Sequence, residues 1–92
     1  MKLDIVTPEG ALFSGEIEAI VVPGVNGTFE MLNNHAPIVA ILTKGDVRIK
    51  GQNLRVDDEV VDKFKIDKNE LVLPINSGTV EMKNNQVILL AE

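Results

Sequence analysis

The sequence of 92 residues contains one histidine, His35, and no cysteine. A lone imidazole cannot build a histidine cluster for a metal ion, and no thiolate is present to complete one. A nucleophilic triad would pair His35 with Ser14 or Ser77 and a carboxylate, but neither serine lies in a nucleophile-elbow motif. Two interpretations of His35 stay open: its ring fixes the loop of residues 33–37 through a backbone hydrogen bond, or it contacts a protein partner.

Two other groups of residues could bind a ligand. The acidic run Asp57-Asp58-Glu59 could attract a divalent cation, but it lacks the alternating ligands and central glycine of an EF-hand loop, which favours a solvated loop. Gly10, Gly24 and Gly27 could cradle a phosphate, but none is followed by a helix or by Lys-Ser/Thr. With no tryptophan or tyrosine, the chain also lacks the usual stacking platform for sugars. We expect no catalytic residue, no metal and no cofactor.

The composition narrows the class of protein. The net charge is −5 and the basic residues are scattered, which argues against nucleic acid or an anionic membrane as partner. No apolar leader is present, and the apolar runs of about five residues are far shorter than the roughly 20 needed to cross a bilayer. We expect a single domain, residues 1–92, with no direct membrane insertion.

Alternating apolar and polar residues predict a chain of short strands joined by turns. The patterns favour a bulge or bend at Gly15, a tight turn at Asn26-Gly27, and a two-residue hairpin turn at Asn84-Asn85. The apolar run 38–42 is typical of a strand buried on both faces or at a crowded junction. The predicted strands are 2–7, 11–14, 16–22, 28–32, 38–42, 46–50, 54–56, 64–66, 70–75, 79–83 and 86–90.

These elements predict an all-β fold. We expect a flattened β-sandwich or barrel of about ten short strands in two sheets, with no C-terminal helical domain. Pattern alone gives no named function for such a fold. It leaves open a free-standing β-sandwich adaptor that binds a protein and a module that binds a small ligand.

Several segments, in order and spacing, resemble the ε subunit of bacterial F-type ATP synthase. Residues 22–29 read Val-Pro-Gly-Val-Asn-Gly-Thr-Phe, and residues 34–37 read Asn-His-Ala-Pro. The opening strands, with Val-Thr-Pro at 6–8 and Phe-Ser-Gly at 13–15, are similar to those of the family, as are residues 44–49 and the closing hairpin 77–92. The chain departs from the family at Asn26, Thr28, Glu30 and Thr79, and residues 51–75 are expected to be about ten longer than the family norm.

The resemblance implies a rotor subunit that docks the γ subunit onto the c-ring, couples proton translocation to ATP synthesis and does no bond chemistry. It implies a peripheral position on the cytoplasmic face of the bacterial inner membrane. Since only the family's N-terminal sandwich is matched, we expect neither its C-terminal helical hairpin nor ATP binding. The loop implied to face the c-ring is Gly24, Val25, Asn26, Gly27 and Thr28. The residues implied to face γ are Thr7, His35, Ala36, Pro37 and Ala40.

Overall fold

The computed structural model describes residues 1–92 and is built almost entirely from β-strands. The expected all-β fold is confirmed, with one three-residue 3₁₀ turn, Val61–Lys63, and no α-helix. No helix in it is long and apolar enough to cross a membrane. The ten strands are β1 (Lys2–Thr7), β2 (Gly10–Glu16), β3 (Ala19–Gly24), β4 (Gly27–Leu32), β5 (Ile38–Leu42), β6 (Gly45–Lys50), β7 (Lys65–Asp67), β8 (Glu70–Ile75), β9 (Gly78–Lys83) and β10 (Gln86–Ala91).

The strands form one curled sheet whose two halves face each other as a sandwich. The first half runs β2-β1-β10-β9-β5, and the second runs β3-β6-β8-β7 with β4 paired to the free side of β3. The halves join where Leu42 of β5 pairs with Gly24 of β3, the only paired residues between those strands. All neighbours are antiparallel except β1 and β10. β3, which forms a hairpin with β4, therefore lies at the seam between the halves.

The core consists of apolar side chains from the inner faces of both halves. Because side chains alternate along a strand, every second residue of β10 is buried, as are the alternating pairs Leu3 and Ile5 of β1 and Val47 and Ile49 of β6, as the sequence pattern predicts. No charged or polar side chain is buried. Packing both inner faces into one cluster explains how a chain with few aromatics holds its fold. The fully buried members include Leu3, Ile5, Ile20, Val22, Met31, Val47, Ile49, Val80, Met82, Val87 and Leu89.

The predicted irregularity at Gly15 is wrong, because it lies at Leu12 instead. Gly15 pairs regularly with Leu3, whereas the register shifts where Ile5 faces Phe13 and the next residue of β1 faces Ala11. A bulge places two consecutive side chains on one face. Leu12 and Phe13 are accordingly both buried, which strict alternation would forbid.

Two further strand predictions differ from the structure. The predicted strand 16–22 is split, since β2 ends at Glu16 and β3 begins at Ala19. Ile17 remains buried in the link between them, so the alternation continues through a bend. Residues 54–56 form no strand; Leu54 and Val56 are half-buried and pack against the core from a loop. The predicted Asn84-Asn85 turn is confirmed, with φ of 53° and 59° joining β9 to β10.

A network of ion pairs covers the outer face of the second half. Arg48 contacts Asp67 at 2.9 Å and Glu70 at 3.2 Å, and Lys50 contacts Glu30 at 2.9 Å. The hydrogen bond that Arg48 donates to Asp67, followed by the one that it donates to Glu70, raises the pKa of Arg48, and the hydrogen bond that Lys50 donates to Glu30 raises the pKa of Lys50. A cationic group whose pKa is higher in the folded protein than in the unfolded chain stabilises the fold at every pH below its ordinary pKa. The contribution of Arg48 and Lys50 is therefore lost only in strongly alkaline solution. Arg48 and Lys50 therefore keep their charge near neutral pH.

Candidate docking surface

The loop implied to face the c-ring is the tip of the β3–β4 hairpin. Gly24 pairs with Gly27, so Val25 and Asn26 are the two turn residues, one position earlier than predicted. Asn26 has negative φ and only Gly27, at φ 123°, adopts a positive value, so the predicted Asn-Gly turn geometry is wrong. A Cβ at Gly24 would lie 2.8 Å from the carbonyl oxygen of Gly27 and 3.0 Å from the Phe29 ring. The hairpin can close this tightly because Gly24 has no side chain.

Backbone hydrogen bonds tie this loop to β5. The N–H of Val25 donates to the carbonyl of Ile41 at 3.0 Å, and the N–H of Thr43 donates to the carbonyl of Pro23 at 2.8 Å. Together with the pairing of Gly24 and Leu42, they fix the loop against the strand on both sides of the seam. Gly24 is buried and residues 25–28 are exposed, so the sheet positions the loop while its tip stays open to solvent.

Of the two alternatives predicted for the apolar run 38–42, burial on both faces is wrong, whereas the end of β5 does lie at the junction of the two halves, where Leu42 pairs with Gly24. Val39 is 73% exposed and Ile41 is 63% exposed, whereas Leu42 is buried and Ala40 is half-buried against the core. β5 lies at the end of the first half-sheet, and no element covers its outer side. An apolar run indicates a strand but does not reveal whether a second layer covers it.

The exposed residues of β5 continue across the sheet. In register, Val39 and Ile41 of β5 lie beside Glu81 and Thr79 of β9, and beyond them are Ile88 and Leu90 of β10, which are 39% and 51% exposed. We call this surface the β5–β10 face. It has one row of exposed apolar side chains on β5 and another on β10, with the polar side chains of β9 between them. Since large exposed apolar patches on a protein surface mark interaction sites, this clustering makes the face a candidate for one. The residues of this face are Val39, Ile41, Thr79, Glu81, Ile88 and Leu90.

Four of the five residues implied to face γ lie at the margins of this face. Thr7, whose hydroxyl donates to the carbonyl of Gly10 at 3.1 Å, lines a groove with Ile41 and Leu90. His35, Ala36 and Pro37 are exposed and lead directly into β5. The fifth, Ala40, points inward. Sequence reasoning missed the exposed Val39 and Ile41: i, i+2 alternation places them on one face of the strand but does not reveal whether that face is covered.

His35 combines features of both interpretations. Its Nδ1 lies 2.7 Å from the carbonyl oxygen of Ala36, and its backbone N–H donates to the carbonyl of Leu32 at 3.1 Å. The ring therefore bonds to the loop that it was predicted to fix. Its side chain is also exposed, so the predicted contact with a partner stays a prediction.

The hairpin loop and the β5–β10 face share one groove. Residues 24–29 form one wall and residues 38–41 the other, enclosing about 520 Å³. The phenyl ring of Phe29 is half-buried here against the core. The two surfaces implied to contact different partners are therefore adjacent.

Replacing Val25 with proline tests how the loop is held. Val25 is the first turn residue and has negative φ, which proline can adopt, but proline cannot donate to Ile41. We expect the fold to persist and the amide of Thr43 to exchange hydrogen roughly threefold to tenfold faster, the equivalent of one lost hydrogen bond. Val25→Ala, which keeps the N–H, is the matched control. Equal exchange at Thr43 in both variants would show that the bond does not anchor the loop.

Comparison with known proteins matches the whole chain to one family. The family model for the delta/epsilon chain of ATP synthase, β-sandwich domain, covers residues 1–92. The ATP synthase epsilon chain of Chlorobium limicola is 38% identical over 91 residues, which cover 99% of this chain and 88% of that one. The epsilon chain of Chlorobaculum tepidum is 41% identical over 90 residues, covering 98% and 86%.

A solved structure shows the same fold. A chain in the cryo-EM structure of the central stalk and c-ring of the Tetrahymena thermophila mitochondrial ATP synthase matches with a TM-score of 0.72 and 15% identity. The match covers 99% of this chain and 62% of that chain.

The expected excess of about ten residues within 51–75 stays a prediction. The chain belongs to the family of ATP synthase delta/epsilon chains, whose β-sandwich domain it spans from residue 1 to residue 92.

Proposed function

We propose that the chain is a non-catalytic rotor subunit in the central stalk of an F-type ATP synthase, where it docks the γ subunit onto the c-ring. Membership of the epsilon-chain family supports a place for the chain in this complex. The observation that carries the docking role is the adjacency of two distinct surfaces, the hairpin loop and the β5–β10 face, across one groove. In this role the chain couples proton translocation to ATP synthesis by transmitting rotation.

The β5–β10 face is the proposed contact for γ. Its apolar side chains are exposed to water in the free chain, so their burial against a partner would be favourable in free energy. Because they stand on paired strands, few rotatable groups have to be ordered on binding, which lowers the entropic cost of docking. Thr7 and residues 35–37 would form the rim of this contact.

The hairpin loop is the proposed contact for the c-ring. Residues 19–29 include no charged side chain, so the loop would recognise the polar loops of the ring by shape and by backbone and amide hydrogen bonds. The chain would touch the membrane complex only through that ring, on the cytoplasmic face of a bacterial inner membrane. The rival role, a free-standing adaptor, would use the same face for an unrelated partner.

Reconstitution tests this function. Vesicles that contain the purified c-ring are mixed with γ, with and without the chain, and sedimented. We expect γ to sediment with the vesicles only when the chain is present. If γ sediments equally without it, or if the chain binds neither component, the proposed docking role is wrong.

The proposed role also predicts no response to nucleotide. Addition of ATP at millimolar concentration should leave the melting temperature unchanged, because a ligand that binds the native state raises it by mass action. Thermal unfolding with and without ATP measures this. A clear upward shift would show a nucleotide site that the proposed role does not include.

A further inference from the structure

The tip of the β3–β4 hairpin carries a reactive dipeptide, Asn26-Gly27. Among the eight asparagines, only Asn26 is followed by glycine. The side-chain carbonyl carbon of an asparagine can be attacked by the backbone nitrogen of the next residue, closing a five-membered succinimide and releasing ammonia. Water then opens the ring to aspartate or isoaspartate. Glycine favours this attack because it has no Cβ to crowd the nitrogen.

The structure leaves Asn26 open to the reaction. Asn26 and Gly27 are both exposed, and nothing lies within 4 Å of the place where a Cβ of Gly27 would stand. The Asn26 side chain makes no hydrogen bond within the protein. By contrast, Oδ1 of Asn33 accepts from the amino group of Met1 at 2.7 Å, and Oδ1 of Asn85 accepts from the backbone of Asn34 at 2.8 Å.

The position in the fold also limits the barrier to ring closure. The attacking nitrogen of Gly27 belongs to the residue that closes the hairpin with Gly24, so only this last pair has to open. The backbone bonds that hold the loop to β5 come from Val25 and Thr43 and do not involve Gly27. The dipeptide can therefore distort while the sheet stays intact.

We propose that Asn26 is a spontaneous deamidation site in the folded protein. The change replaces the neutral carboxamide with a carboxylate, so it adds one negative charge to a chain of net charge −5. It would be the first charge within residues 19–29. The consequence for docking to the c-ring rests on the proposed function, whereas the modification itself does not.

The test follows the isolated, folded chain during incubation at body temperature and mildly alkaline pH. Peptide mapping by mass spectrometry measures aspartate and isoaspartate at each asparagine. We expect modification at Asn26 to be about tenfold faster than at any other asparagine, because only its neighbour lacks a Cβ. Asn26→Gln, whose side chain would have to close a six-membered ring, should abolish the rapid phase.

A second sample, unfolded in urea, separates intrinsic reactivity from the effect of the fold. Fast deamidation at Asn26 in both samples supports the proposal. If the folded chain keeps the Asn26 amide as long as that of Asn76, which precedes serine, the proposal is overturned, even when the unfolded chain reacts quickly. Neither result depends on whether the chain binds γ or the c-ring.

Discussion

Replacing Ile41 with glutamate should weaken binding of γ at least about 30-fold, the equivalent of a 2 kcal/mol interface anchor. Ile41 is 63% exposed, so the substitution removes little buried surface from the free chain and should hardly change its stability. In the proposed complex, however, the carboxylate would lose its water without gaining a partner. Titration calorimetry with purified γ measures the affinity, and thermal unfolding checks the fold.

The matched control is Ile66→Glu. Ile66 is 81% exposed and lies on β7, at the far edge of the other half-sheet. The same change of residue type should leave γ binding unaffected there. Equal loss in the two variants would point to net charge rather than to the β5–β10 face, and no loss in Ile41→Glu would remove γ from this face.

Gly78→Ala should be the most destabilising of the conservative substitutions in the strands. A Cβ at this position would clash with the carbonyl oxygen of Leu90, which belongs to the backbone and cannot rotate away. Gly78 pairs with Ala91 on one side and with Leu42 on the other, so β9 cannot shift without breaking a ladder. We expect a loss of about 3 kcal/mol in the free energy of unfolding and a melting temperature lower by roughly 12–24 °C.

Gly15→Ala provides the control for that prediction. Gly15 is also a half-buried strand glycine, but its new Cβ would meet only the Phe13 ring, at 3.5 Å, an ordinary contact. We expect a change of no more than about 1 kcal/mol, and in the stabilising direction if the reduced freedom of the unfolded chain dominates. Denaturant titration of both variants measures the difference. Equal losses would mean that the crowding at Leu90 is relieved at little cost.

The strands that have one apolar face and one polar face could be predicted from the sequence. Leu3 and Ile5 alternate with polar neighbours, and the structure buries them; Asn84 and Asn85 are residues that tolerate positive φ, and the hairpin turns there. The bulge at Leu12 could not be predicted, because a run of two apolar residues has the same pattern whether the strand is bulged or ends. The Asn26-Gly27 turn was misplaced because Gly27 alone supplies the positive φ.

The candidate site was predicted only in part, for a physical reason. The loop and the residues around His35 follow from local sequence and from the family resemblance. The exposed side of Val39 does not, since its exposure is decided by the order of strands far apart in the chain, with β9 and β10 beside β5 and nothing above them. Local pattern identifies a strand, but topology decides which of its faces is covered.

Photo-cross-linking in the assembled synthase tests the docking account most directly. A photo-activatable side chain is placed at Val39 in one variant and at Asn26 in another, both of which are exposed and should tolerate it. We expect the Val39 probe to cross-link to γ and the Asn26 probe to a c subunit, with no product of either kind from a probe at Ile66. Cross-links from Val39 to any subunit other than γ, or none from Asn26 to the c-ring, would contradict the proposed arrangement.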